Sequence, residues 1–170
     1  GTGFYADLQW SPDGEKICYT DNGRKIYVLD VGSGNIAKID TDQIYGPGPF
    51  REIFGDWSSD SKWVAYTRLN RTNFHQVFLY SVDDGQFYAI SDGMSDATEP
   101  VFDPGGKYLY FFGSTDAGPV VDWFALSGAD MEMTRNIYLF TLKKETLSPF
   151  ARESDEVETE EENGEDEGET

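Results

Sequence analysis

Cysteine and histidine occur once each in 170 residues, as Cys18 and His75. A single thiol excludes an intrachain disulfide, and an unpaired cysteine within a β-type run behaves as a small buried hydrophobe. One histidine and one cysteine cannot furnish a four-ligand zinc site, and Asp40-Thr-Asp42 and Asp83-Asp84 lack the calcium-loop spacing with its terminal glutamate. No metal and no cofactor are therefore expected. Basic residues are also scarce, 13 Lys+Arg against 32 Asp+Glu, and form no cluster. Nucleic acid and anionic membrane surfaces are disfavoured as partners, because phosphate binding needs cations gathered on one face. No apolar run is long enough for a membrane-spanning helix, and the opening Gly1-Thr-Gly-Phe-Tyr5 has neither the basic nor the apolar region of a secretion signal. It reads as a start inside a longer protein. No Gly-rich segment opens a helix after a strand, so nucleotide binding is unsupported.

The formal charge of −19 divides unevenly. Residues 151–170 hold eleven acids and one base, with no aromatic residue and one β-branched aliphatic, Val157. Such a segment cannot bury enough surface to offset the entropy of ordering it, so it reads as a disordered acidic linker. Residues 1–150 hold the aromatic residues, which make up 15% of the whole chain and fall in β-type runs.

What is abundant is repetition. Trp10-Ser-Pro-Asp-Gly14, Trp57-Ser-Ser-Asp-Ser61 and Phe102-Asp-Pro-Gly-Gly106 lie 47 and 45 positions apart. That period suits a four-stranded propeller blade rather than a helical solenoid. After each turn comes a β-branched or aromatic run, at Lys16–Thr20, Lys62–Thr67 and Lys107–Phe112. A third run follows at Lys25–Asp30, Gln76–Ser81 and Asn136–Thr141. In the first two units the turns Val31-Gly-Ser-Gly34 and Val82-Asp-Asp-Gly85 then lead to a fourth strand. The fold class is all-β: a β-propeller fragment of about three four-stranded antiparallel blades, over 4–45, 46–94 and 95–150, followed by the tail at 151–170.

Three blades cannot close a ring of four to eight, so the first and last should each present an apolar face without a partner. The third unit also carries an insertion over 114–135, with Trp123, Phe124 and Met131 among its turn residues. It is expected to fold onto the blade rim, with contact to a substrate or partner as the alternative.

Catalysis finds little support. Serine-type chemistry needs a base beside the nucleophile, and His75 has no partner motif. Gly93-Met-Ser-Asp-Ala97 resembles a nucleophile elbow but lacks its last glycine and its strand–turn–helix setting, so Ser95 is expected to be structural, in a turn with Asp92, Gly93 and Asp96. Asp56 and Glu99 fall near innermost strands, where acids more often set a channel's potential than perform chemistry. Asn70-Arg-Thr72 matches a glycan acceptor and carries no weight. Trp10, Trp57 and Trp63 are expected to pack between blades, against the alternative that they stack a small ligand such as a sugar in the central channel. The catalytic, cofactor-binding and metal-binding sets are each expected to be none, and the substrate-binding set is left open.

The Trp-Ser-Pro-Asp-Gly phrase with its following strands resembles the TolB and tricorn type of propeller. The combination of Ile90–Ala97, Phe102-Asp, Gly106–Phe112, Ser114–Pro119 and Thr134–Tyr138, ending in Leu147–Asp155, resembles the end of the first, N-terminal propeller of tricorn-like serine peptidases. The resemblance runs over residues 4–155, with Glu153–Thr170 in the place of an acidic spacer. It implies a non-catalytic segment that guides or filters peptides toward a serine peptidase centre in later domains, none of whose motifs match a residue here. Implied partners are the remaining blades, the downstream catalytic domains and peptide substrates, in a parent that is a homo-oligomer. The implied compartment is cytoplasmic, with periplasmic as the alternative. The rival reading is a TolB-like propeller serving as a protein-interaction platform with no peptidase attached. Two departures from the blade pattern, Trp57-Ser-Ser-Asp-Ser61 and Asp103-Pro-Gly-Gly106, are expected to alter turn type rather than fold.

Overall fold

The computed structural model describes residues 3–42, 54–116 and 134–151, where all regular structure is β-strand. The first sheet comprises β1 (Tyr5–Trp10), β2 (Lys16–Asp21), β3 (Lys25–Asp30) and β4 (Ile36–Thr41) in that order. The second comprises β5 (Phe54–Trp57), β6 (Trp63–Leu69), β7 (His75–Ser81) and β8 (Gln86–Ala89), again in chain order. The third holds β9 (Asp96–Phe102), β10 (Tyr108–Ser114) and β11 (Asn136–Thr141), with β10 central. All pairings are antiparallel. The second and third runs of every unit thus form the strands expected of them. A fourth strand completes the first two sheets, whereas the third has three strands among the described residues. After β11, Lys143-Lys-Glu-Thr-Leu-Ser-Pro149 lacks strand alternation and turns instead, with Thr146 N–H on Lys143 C=O and Ala151 N–H on Ser148 C=O. The insertion's Trp123, Phe124 and Met131, and nearly all of the acidic segment, lie outside the described residues.

The turns joining first and second strands share one geometry. Ser11 N–H bonds Lys16 C=O while Gly14 N–H bonds Ser11 C=O, and the same pair of bonds recurs at Ser58/Trp63 with Ser61/Ser58 and at Asp103/Tyr108 with Gly106/Asp103. The last residue of each turn is left-handed, with φ of 75° at Gly14, 59° at Ser61 and 67° at Gly106. Glycine adopts that region freely and serine at a cost, so the departure at Ser61 adds strain without changing the turn type, contrary to expectation. Short side chains complete the first two turns: Ser11 Oγ donates to Asp13 Oδ1 at 2.5 Å and Ser58 Oγ to Asp60 Oδ1 at 2.6 Å.

Alternate residues of each strand face opposite sides, and the core is correspondingly divided in two. Cys18, Ile26, Val28 and Ile39 of the first sheet meet Trp57, Val64, Tyr66, Phe78 and Tyr80 of the second. On the other side of the second sheet, Ala65, Val77 and Leu79 meet Ala97, Phe102 and Leu109 of the third. Covered on both faces, β6 and β7 read as near-continuous apolar runs rather than alternating ones. A cross-strand aromatic pair recurs at one register position in every sheet: Tyr19–Tyr27 with ring centroids 5.2 Å apart, Tyr66–Phe78 at 5.5 Å and Phe111–Tyr138 at 5.7 Å, all stacked. Each such pair contributes about 0.5–1.5 kcal/mol beyond its buried area.

Candidate functional site

Polar chemistry concentrates along the two seams between sheets. In the first seam, Asp40 of β4 receives Tyr66 O–H at 2.8 Å on Oδ2 and Arg68 Nη1 at 3.0 Å on Oδ1 and 2.9 Å on Oδ2. Arg68 also lies over the Phe78 ring, 4.3 Å from its centroid. Tyr66 is wholly buried, and its phenol is pushed up from the usual range, first by that burial and then by the charge of Asp40. At the rim, Asp13 N–H donates to Ser61 Oγ at 3.0 Å, so the strained serine ties the turns of neighbouring sheets together.

Asp56 works in the second seam. Its Oδ1 accepts Trp57 N–H and its Oδ2 accepts Phe102 N–H, both at 2.9 Å, joining the first strands of two sheets. Desolvation raises its carboxyl above the ordinary value, against the lowering by those two bonds. It is therefore a clasp half-buried in the seam, not a channel-lining acid. Glu99 sits on β9 with φ 55°, beside an irregularity in the β9–β10 register, and pairs with Arg135 at 3.1 Å. Asp7 occupies the corresponding irregularity of β1 with the same φ and accepts Thr20 Oγ1–H at 2.8 Å.

His75 has a partner that the sequence did not reveal. Asp96 Oδ1, on the next sheet, accepts both its Nδ1–H and its backbone N–H, each at 2.7 Å. A carboxylate that only accepts fixes the ring proton on Nδ1 and leaves Nε2 as the basic nitrogen. Among the described residues no hydroxyl or thiol is hydrogen-bonded to that nitrogen, and Ser95 is not joined to the pair, so a histidine and carboxylate are present without the nucleophile that acyl transfer needs. The pair links β7 to β9 across 21 positions of sequence, a separation no local motif signals. Asp92 acts locally as expected, its Oδ1 accepting Met94 N–H, whereas Gly93 C=O accepts Asn70 Nδ2–H from the β6–β7 turn, 23 positions away. Asn70 Oδ1 takes up Thr72 N–H, Thr72 O–H and Phe74 N–H, so its amide is committed to the β6–β7 turn.

Cys18 is fully buried, and burial pushes its thiol well above the usual range. Asp83 lies 3.8 Å from Lys62, and Asp84 Oδ2 accepts Ser81 O–H. Among the described residues no three His, Cys, Asp or Glu side chains gather as a metal site. Trp57 is buried in the first seam with no acceptor for its Nε1–H among the described residues, and Trp63 packs on the second cluster near Tyr88. Trp10 departs from expectation: it is 59% exposed, and among the described residues no sheet covers its side of β1.

One cleft, of about 370 Å³, opens at the rim of the second seam between Ser58–Asp60 and Gly105–Gly106, over an apolar floor that includes Trp63, Leu79 and Phe140. Gly106 stands where Ser61 stands and has no hydroxyl to bridge the preceding turn. Asp60 and Lys143 flank the floor.

Consecutive antiparallel sheets, packed face on face through a repeated turn and a repeated aromatic pair, with no reactive triad assembled among the described residues, define a β-propeller segment. The chain belongs to the family of the tricorn protease second β-propeller domain, whose family model matches residues 1–170. The tricorn kinship is as the blade phrases implied, but the matching propeller is described as the second, where those phrases pointed to the first. A tricorn-like protease C-terminal subunit of Sulfurisphaera tokodaii is 28% identical over 152 residues, covering 88% of this chain and 17% of that protein. The crystal structure of the tricorn protease superposes with a TM-score of 0.67 at 16% identity, over 88% of this chain and 14% of that one. TolB from Acinetobacter baumannii gives 0.57 at 17% identity, over 85% of this chain and 31% of that one. Both structures share the fold. The chain thus spans less than a fifth of the length of its tricorn relatives.

Proposed function

We propose that this chain is a non-catalytic propeller wall of a tricorn-like serine peptidase, guiding peptides toward a catalytic domain outside these residues. The observation that carries the reading is the match of the tricorn propeller family along the whole chain. It is supported by the His75–Asp96 pair, which ties β7 to β9 and, among the described residues, has no hydroxyl or thiol hydrogen-bonded to its ring. Guidance falls to groups on the first strands, and Asp7 and Glu99, held in left-handed backbone at strand irregularities, are the acids best placed to set a potential there. The test uses the full-length parent, carrying Asp7→Lys and Glu99→Lys together. Cleavage of long unfolded peptides should slow or change in charge preference, while a short fluorogenic substrate is turned over as before. Equal effects on both substrates, or hydrolysis by the purified 170-residue chain itself, would sink the proposal.

The TolB-like platform has its own support in the TolB likeness at a TM-score of 0.57. The parent reading frame separates the two readings. A serine peptidase domain downstream supports the first, and a parent that ends with its propeller supports the second.

A further inference from the structure

The first sheet carries one face with no cover among the described residues, and the repeats show what such a face is built to meet. Trp10, Ile17, Tyr19, Asp21 and Tyr27 occupy the register positions of Trp57, Val64, Tyr66, Arg68 and Phe78 in the second sheet. Those second-sheet positions pack against the sheet before them: Trp57 is 5% exposed and Val64 and Tyr66 are fully buried. Phe102, the third copy of the tryptophan position, is 6% exposed, whereas Trp10 is 59% exposed. One position is therefore sealed in both sheets that have a predecessor and bare in the sheet that shows none.

The seams also show a matching rule at one cross-seam position. In the first, Asp40 of the fourth strand meets Arg68 of the next sheet. In the second, Ile90 stands opposite Val77 as Asp40 stands opposite Ile26, and the Arg68 position is Gly113. There Ile90 packs on the apolar cluster with Phe111 and no charge is involved. The one seam with a charge at this position supplies the opposite charge across it, and the other packs apolar side chains there instead. On the bare face the Arg68 position is Asp21, whose carboxylate accepts Lys25 N–H and Tyr27 O–H, each at 3.0 Å, and among the described residues pairs with no cation.

The geometry points to one occupant: a further antiparallel sheet of the same polypeptide, whose fourth strand carries a lysine or arginine where β4 carries Asp40. This rests on the propeller reading above and adds the polarity of the seam, which is reversed relative to the first. The stacked Tyr19 and Tyr27 rings supply the apolar floor, and the cation closes on Asp21. More than four-fifths of the length of the tricorn relatives lies outside the aligned region, ample chain for such a sheet.

The test places a photo-crosslinker on the face of the full-length parent, Tyr19→p-benzoylphenylalanine, and sequences the irradiated product. The expected product is one intrachain cross-link to a β-strand with a lysine or arginine within two residues of the attachment. Asp21→Lys should lower the cross-link yield at least ten-fold, and changing the identified base to Glu in that variant should restore it. A cross-link to a sheet of the same polypeptide with no base at that position, or one indifferent to Asp21→Lys, overturns the reversed seam and leaves the propeller reading standing. A cross-link to a second copy, to residues 117–133 or 152–170, or none at all, overturns the seam together with the neighbouring-sheet reading.

Discussion

Ser61 carries two opposed effects at a single residue. Its left-handed backbone costs about 1–2 kcal/mol relative to a relaxed residue, while its hydroxyl accepts Asp13 N–H and contributes about 0.5–1.5 kcal/mol. Ser61→Ala keeps the strain and loses the bond, so it should destabilise the chain by about 1 kcal/mol. Ser61→Gly loses the same bond but relieves the strain, and its denaturation midpoint should lie above that of the alanine variant; the reverse order would refute this account. Cys18 makes a second residue-scale case. Its folded pKa is raised, chiefly by burial, so its contribution is complete below the unfolded thiol value of about 8.5 and declines as pH rises above it, because only the unfolded chain can ionise there. Thermal midpoints measured from pH 8 to 10 should fall in the wild-type chain and fall less in Cys18→Ala. The burial of Cys18 was legible from its place in a β-run, whereas no local pattern signalled Asp96 beside His75. The first is a local pattern, and the second depends on which strand ends meet across a seam.

At the scale of elements, periodicity carried most of the information. β-branched and aromatic runs at a 45–47-residue recurrence marked β2, β3, β6, β7, β10 and β11 because strand propensity and register are written locally. The seams were less legible. Asp40 stood out in the sequence only within Asp40-Thr-Asp42, which lacks the calcium-loop spacing, and only the packing of β4 against β6 delivers it to Tyr66 and Arg68. Asp56 read as a channel acid for the same reason: its direction is set by the register irregularity between Phe54 and Asp56, which no residue pattern announces. The seam trio makes a quantitative prediction. Asp40 and Arg68 side chains are 12% and 24% exposed, so removing one partner strands a desolvated charge. Arg68→Met and Asp40→Leu should each cost about 2–4 kcal/mol. The double variant should cost far less than their sum, since neither charge is then left alone. A denaturation double-mutant cycle measures the coupling, and additive losses would show that the trio is not a unit.

For the whole molecule, the two outer sheet faces decide behaviour in solution. Trp10 and Leu8 on the first sheet and Ile137 on the third are 59%, 64% and 70% exposed, an apolar display that monomeric domains seldom carry. Against association stands a formal charge of −19, whose repulsion reaches about a Debye length, roughly 8 Å at physiological ionic strength. The two effects respond oppositely to salt: screening removes the repulsion and leaves apolar attraction intact. The isolated 170-residue chain should therefore sediment close to monomer at low ionic strength and form larger species as salt and protein concentration rise. Trp10→Glu, which places a charge on the bare face without touching either seam, should shift that association to higher protein concentration at every salt level. If the chain stays monomeric at high salt, or if Trp10→Glu associates as readily as the parent sequence, the outer faces are not the adhesive surfaces. Acrylamide quenching gives an independent reading in the same samples, because Trp10 should be quenched in the monomer and protected on association, while Trp57, 5% exposed in its seam, stays protected throughout.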